Sequence, residues 1–163
     1  MSIFADLGVR DGKDRAKEGL LYNLAACYAL LDKEITQALA PYGLSPVKMN
    51  ALLMVRHIGQ KEGMSQVEIG KRMIVSPGNI TRLIDRLEKD KMVERLAKTG
   101  DKRVKLICIT KKASDLLGRV WPIYKKKVED VIALSGAEVL SASDVLSGLR
   151  RKLLAKGANH AKA

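Results

Sequence analysis

The stretch "VSPGNITRLIDRLEKD", residues 75 to 90, carries apolar side chains at Ile80, Leu83, Ile84 and Leu87. That is the i, i+3, i+4, i+7 stripe of an amphipathic helix. The opposite side presents Asn79, Arg82, Arg86 and Lys89, again at helical spacing. Ser76 is positioned to cap this helix, with Pro77 in its first turn, where a missing N–H costs nothing. A row of one amide and three cations also describes an ordinary solvated face, so its meaning depends on what flanks it.

On the N-terminal side, "SQVE" at residues 65 to 68 has the form of a capping box, Ser65 accepting from the first turn and Glu68 reaching back. The helix it opens runs to about Met73, and a turn near "MIVS" separates it from the next. Helix, tight turn and helix with a polar outer face is the helix-turn-helix arrangement. On the C-terminal side, "MVERL" alternates, "AKTGDKR" is a charged turn holding Gly100, and "VKLICI" favours a strand. These predict a hairpin with a basic loop directly after the second helix.

Further out, Leu21, Leu24, Tyr28, Leu31, Ile35 and Leu39 repeat near every 3.5 residues, predicting a long helix from Glu18 to Ala40. "PYGLSP" ends it. Ser45 and Pro46 then start a helix that runs to Gly59. Thr110 caps another, with Leu116, Leu117, Val120, Tyr124, Val131 and Ile132 as its apolar positions and Pro122 as a kink or a tolerated break. Gly136 breaks that run, and a last helix carries Leu146, Leu149, Leu153 and Leu154 before the tail "KGANHAKA". The expected class is mainly α with a small β-hairpin wing (α+β). It divides into an N-terminal tail (1–17), a dimerisation helix (18–45), a winged helix-turn-helix DNA-binding domain (46–110), and C-terminal dimerisation helices with a tail (111–163). Dimerisation is expected because the outer apolar seams exceed what a small winged domain can cover.

The charge agrees with this layout. Lys and Arg outnumber Asp and Glu by 30 to 18, a formal +12 over 163 residues. Between Lys71 and Lys112 there are 13 basic and 5 acidic residues, so most of the excess lies in the helix-turn-helix and hairpin. Concentrated positive charge favours a polyanion. Cys27 and Cys108 stand apart, with neither a disulfide framework nor metal-ligand spacing. Cys27, within "LAACYALL", is expected to be a buried, inert thiol, and the facing of Cys108 on its strand is left open. No apolar run approaches the ~18 residues needed to cross a bilayer, and the N-terminus lacks a secretory signal, so a cytoplasmic protein without membrane association is expected. There is no Gly-rich phosphate loop, paired metal motif or nucleophile–base spacing, so neither an enzyme nor a cofactor is expected.

In a helix-turn-helix reading, the face of residues 75 to 90 meets the major groove. Pro77 and Gly78 keep the leading turn slim, Asn79 offers the paired donor and acceptor that match adenine, and Arg82 the fork that matches guanine. Ser76, Thr81 and Arg86 suit phosphates. In the hairpin loop, Lys98 and Lys102 flank Arg103, whose guanidinium suits the minor groove.

The sequence resembles the MarR family of bacterial transcription regulators over roughly residues 20 to 155. The most specific part is "GDKRVKLICIT", similar to the family's wing signature, with Asp101, Arg103, Ile109 and Thr110 in its positions and Ile109 in place of the usual leucine. "NITRLIDRLEKDKMVER" is similar to the recognition helix and following strand. The resemblance implies a homodimer with interleaved first and last helices, binding double-stranded operator DNA. It implies an Asp101 that braces the wing through an ion pair, and a wing arginine at the minor groove. Repression is the family's commoner mode. Its members often release DNA on a small aromatic acid or an oxidant, and Tyr28, Met54, Arg56, His57, Trp121 and Tyr124 are the candidate lining of such an effector pocket, with Arg56–His57 a pointer to an anion. Peroxide-sensing relatives keep a cysteine early in the first helix, and the matching position here is Leu21. The alternative function is a winged-helix interaction module whose basic face binds RNA or an acidic protein.

Overall fold

The long first seam folds as one helix of 24 residues, Ala16–Leu39 (α2), preceded by a four-residue helix, Ile3–Asp6 (α1), inside the stretch expected to be a tail. The structure is a computed structural model. It describes residues 3–6, 8, 15–60, 62–73, 77–98 and 100–160, with the backbone alone described at 4, 77, 98, 101–103 and 157–160. The chain divides into two compact units, Met1–Val128 and Glu129–Ala163.

In the first unit, a 3-10 turn at Ala40–Tyr42 ends α2, and Gly43 takes the left-handed conformation (φ 68°) that only glycine adopts without strain. Ser45 caps α3 (Pro46–Met54), its hydroxyl accepting from the Lys48 N–H at 3.3 Å. The helix expected to reach Gly59 does so, but its last turn, Val55–Gly59, widens to a π-helix. A two-residue strand β1 (Met64–Ser65) leads into α4 (Gln66–Arg72), whose capping box is formed as expected: Ser65 Oγ accepts from Glu68 N at 3.2 Å, and Glu68 accepts from Ser65 N at 2.9 Å. Helix α5 (Pro77–Lys89) completes the helix-turn-helix. Ser76, assigned as its cap and a phosphate contact, lies outside the described residues.

Strands β2 (Val93–Lys98) and β3 (Asp101–Ile109) form the expected hairpin, and β1 adds to its far edge, giving an antiparallel sheet of order β1-β3-β2. A two-residue strand is too short to leave a period in the sequence, so nothing local announces β1. Pairing is regular from Val93↔Ile109 to Ala97↔Lys105 and then jumps to Lys98↔Asp101, so residues 102–104 bulge out of the ladder just before the turn. Gly63 sits where the sheet meets the preceding turn. Its φ is +78°, and a Cβ there would approach Cys108 Sγ to 2.6 Å and the Ile107 carbonyl to 2.9 Å. Thr110 caps α6 (Lys111–Val131), its hydroxyl accepting from Ala113 N at 3.2 Å, and Pro122 lies inside that helix.

One core joins these elements. Leu39 of α2, Met49 and Leu52 of α3, Ile69 of α4, Ile80, Ile84 and Leu87 of α5, Ile107 of β3, and Leu117 and Val120 of α6 are almost wholly removed from water. Each such side chain contributes about 1.5–3 kcal/mol of transfer free energy. On α2 only Gly19 and Leu39 are buried, and Ile35 packs half-buried against the same core. That overturns the expectation for Cys27, which is exposed. Cys108 is half-buried, and burial, then Glu94, push its thiol pKa up.

The second unit is built on α7 (Gly136–His160), which starts at the glycine expected to act only as a breaker and continues into the segment expected to be a tail. A second capping box opens it: Ser135 N and Oγ donate to Glu138 Oε2 at 2.8 and 2.7 Å. The "SGAE" signature for this box stands in the sequence at 135 to 138. Val139, Leu140, Val145, Leu146, Leu153 and Leu154 on this helix are exposed. No single described helix is long and apolar enough to cross a membrane.

Candidate nucleic-acid interface

The two faces of α5 separate as the spacing predicts. Ile80, Leu83, Ile84 and Leu87 are buried, while Asn79, Arg82, Arg86 and Lys89 are exposed. The stripe therefore sets the rotation of the helix about its axis, and the outward row follows from it. A Cβ on Gly78 would meet nothing within 4 Å, so its small size answers no packing demand inside the chain. Pro77 is the first residue of the helix.

Side-chain contacts hold α5 at both flanks. Gln66 Nε2 of α4 donates to Thr81 Oγ1 at 2.8 Å. Arg95 of β2 donates to Asp85 at 2.5 Å and to Glu88. Burial works against the Arg95 charge, but hydrogen bonds and attraction from Asp85 and Glu88 outweigh it and hold the guanidinium above its usual pKa. Asp85 and Glu88 are the acidic side chains within α5, and both are engaged by Arg95. Among the described residues Arg82 and Arg86 have no ion-pair partner. Their donors are left to solvent or to something from outside the chain.

At the C-terminal end of α5, Lys48 Nζ binds Asp90 Oδ2 at 2.7 Å and Lys112 Nζ binds the Asp90 carbonyl at 2.9 Å. The Lys48 hydrogen bond is the main reason that the Asp90 carboxyl titrates below its ordinary value. The chain leaves the helix through Lys91 in the left-handed region (φ 56°), where Lys91 N reaches the Glu88 carbonyl at 2.9 Å and Met92 N the Leu87 carbonyl at 2.8 Å. This is a Schellman ending with lysine at the position where glycine is usual.

In the wing, Lys98 ends β2, and Asp101, Lys102 and Arg103 begin β3. Arg103 thus belongs to the bulged stretch of the strand, close to the turn at Gly100, and not to a longer loop. The side chains of these four residues lie outside the described part of the structure. Sequence reasoning missed Gln66 and Arg95, which position α5. The signal for Arg95 was present as an unpaired cation seven and ten residues beyond two acids, but its facing depends on the strand's register.

The candidate effector residues do not all come together. A cavity of about 150 Å³ lies among α2, α3 and α6, lined by Tyr28, Leu31, Asp32, Ile35, Pro46, Met49, Asn50 and Tyr124. Trp121 stacks on Tyr124 from outside this lining, with ring centroids 5.6 Å apart. Met54 packs against the core, while Arg56 and His57 lie on the π-turn, half-buried and exposed. None of these three lines the cavity.

Residues 47–105, which span the helix-turn-helix and wing, match the family model described as MarR family. The chain is 34% identical over 114 residues to the uncharacterized HTH-type transcriptional regulator YwoH of Bacillus subtilis, covering 70% of this chain and 80% of that one. It is 27% identical over 132 residues to the HTH-type transcriptional regulator MhqR of the same organism, covering 79% and 89%. Its fold matches a cysteine-to-serine mutant of E. coli MarR crystallised with operator DNA, with a TM-score of 0.76, 20% identity and coverage of 85% and 99%. Wing, helix-turn-helix and relatives agree, and the chain belongs to the MarR family of transcriptional regulators.

Proposed function

We propose that this regulator is a homodimer that binds a pseudo-palindromic operator sequence-specifically, acts as a repressor, and is released by a small molecule. The observation that carries the reading is the pair of guanidinium groups, Arg82 and Arg86, that have no partner among the described residues, on the outer face of a helix whose own acids are engaged by Arg95. A solvated face chosen for solubility has no need to keep its carboxylates turned away from its arginines. In this reading Arg82 meets guanine, Asn79 meets adenine, and Ser76, Thr81 and Arg86 hold phosphates beside a leading turn kept slim by Pro77 and Gly78. Lys98 and Lys102 neutralise phosphates beside an Arg103 in the minor groove, and Asp101 braces the wing.

The dimer reading is supported by the exposed apolar positions along α2, where Leu21 is 64%, Tyr28 70% and Leu30 64% exposed. Exposed apolar residues in such number mark an interface. The structure of a relative with operator DNA supports duplex DNA as the partner. Binding of the protein to its own upstream DNA, against RNA of the same sequence and across a salt series, tests the reading. Tight duplex binding with a sequence preference is expected. Equal affinity for the RNA would overturn it in favour of a general polyanion-binding module.

A further inference from the structure

The cavity among α2, α3 and α6 has a definite chemical character. Leu31, Ile35 and Met49 give it an apolar floor, and Tyr28 and Tyr124 supply aromatic rings. Asp32 lines it too, and among the described residues its carboxylate has neither a hydrogen-bond nor an ion-pair partner. The lysines on the two facing helices that pair with carboxylates do so elsewhere: Lys48 of α3 with Asp90, and Lys111 and Lys127 of α6 with Asp115 and Glu34. Among the described residues no Lys, Arg or His lines the cavity.

An aromatic acid entering here would bring its carboxylate beside another carboxylate, with no counter-charge in the lining. Two like charges in a partly desolvated pocket raise each other's energy. A cation meets the reverse situation, since Asp32 neutralises it and the faces of aromatic rings attract positive charge. The formal +12 of the whole chain does not decide the matter. Its excess is concentrated between residues 71 and 112, and at physiological ionic strength charges beyond about 8 Å are largely screened.

We propose that this cavity takes a small organic cation, a primary amine or ammonium group carried on a single ring, with Asp32 receiving the charged head and Tyr28 and Tyr124 flanking it. The proposal gives a chemical class to the effector of the regulator described above, and only its regulatory consequence rests on that reading. It also moves the ligand's polar contact from the Arg56–His57 pair to Asp32, and with it reverses the charge expected of the ligand.

Trp121, the single tryptophan, stacks on Tyr124 and so reports on the cavity by its emission. Benzylamine, benzyl alcohol and benzoate share one ring and differ in charge, and each is titrated against the full-length protein without DNA. Benzylamine is expected to bind at least tenfold more tightly than benzoate. Asp32→Asn should abolish that gap while leaving benzyl alcohol unchanged, and Tyr124→Leu should weaken the amine more than the alcohol. The ranking on the parent protein needs no variant, so a misfolded mutant does not rescue the proposal. Benzoate binding as tightly as the amine, or no saturable response to any of the three, overturns it. Anisotropy on upstream DNA separates the two readings. Amine binding without DNA binding supports the cavity and overturns the regulator. DNA binding without any ligand response overturns the cavity and leaves the regulator standing.

Discussion

Arg82 and Arg86 differ in what their loss should do, although both are exposed cations on one helix. Arg82 lies toward the N-terminal half of α5, the part of a recognition helix that reaches base edges. Arg82→Ala is expected to cost about 1–3 kcal/mol on the best site and to relax preference at one symmetric base pair. An unchanged preference profile in a binding-site selection would make it a phosphate contact instead. Gly63 is a residue-scale constraint of another kind. With φ +78° and two atoms within 3.0 Å of any added Cβ, it tolerates no side chain. Gly63→Ala should destabilise the fold by about 1–3 kcal/mol, measured by urea denaturation. A wild-type midpoint would show that the turn before β1 shifts freely.

At the scale of elements, α5 is the part on which the others converge. Its C-terminal exit forces Lys91 into the left-handed region, which costs a residue with a Cβ about 1–2 kcal/mol. Lys91→Gly removes that cost and gives back part of it through the freer unfolded chain, so a net gain of about 0.5–1 kcal/mol is expected in thermal unfolding. The Lys48–Asp90 bond joins α3 to the same end. Because the folded Asp90 titrates below its unfolded value, its contribution is fully present above the unfolded pKa, near 4, and is lost as pH falls through the lower folded pKa. Asp90→Asn should therefore cost less stability at pH 2 than at pH 7, a difference read from denaturation at the two pH values. Equal losses at both would mean that the carboxylate's charge is not what holds the helix end.

For the molecule as a whole, the exposed apolar residues of α2 and the concentration of charge between Lys71 and Lys112 make two separate demands. The first is a second copy. Sedimentation at micromolar concentration should give one species near twice 17.9 kDa, and a folded monomer at that concentration would refute the dimer. The second is DNA. If Arg103 enters a minor groove, A·T-rich flanks should bind better than G·C-rich ones, and Arg103→Ala should erase that preference. Lys98→Ala should instead weaken all sequences alike and reduce the salt slope by about one unit. Asp101→Ala should reproduce part of the Arg103 loss if it braces the wing. Parent-like binding of Arg103→Ala to both flanks would leave the recognition helix to act alone.

The periodicity of residues 80 to 87, the capping box at Ser65–Glu68, the Ser45 and Thr110 caps and the alternating strands are local signals. Each depends on residues within one or two turns, so the order of helices and the hairpin is legible in the sequence alone. The outer face of α5 is legible too, because burying Ile80, Leu83, Ile84 and Leu87 leaves the other side nowhere to go but outward. The pairing of β1 with β3, the clamp of Arg95 on Asp85 and Glu88, the exposure of Cys27 and the partition of the effector candidates around Asp32 are not. Those depend on which distant segments meet and in what register. An apolar seam on a helix states that something must cover it, but only packing decides that Leu39 is covered by this chain's own core and Leu21 and Cys27 are not.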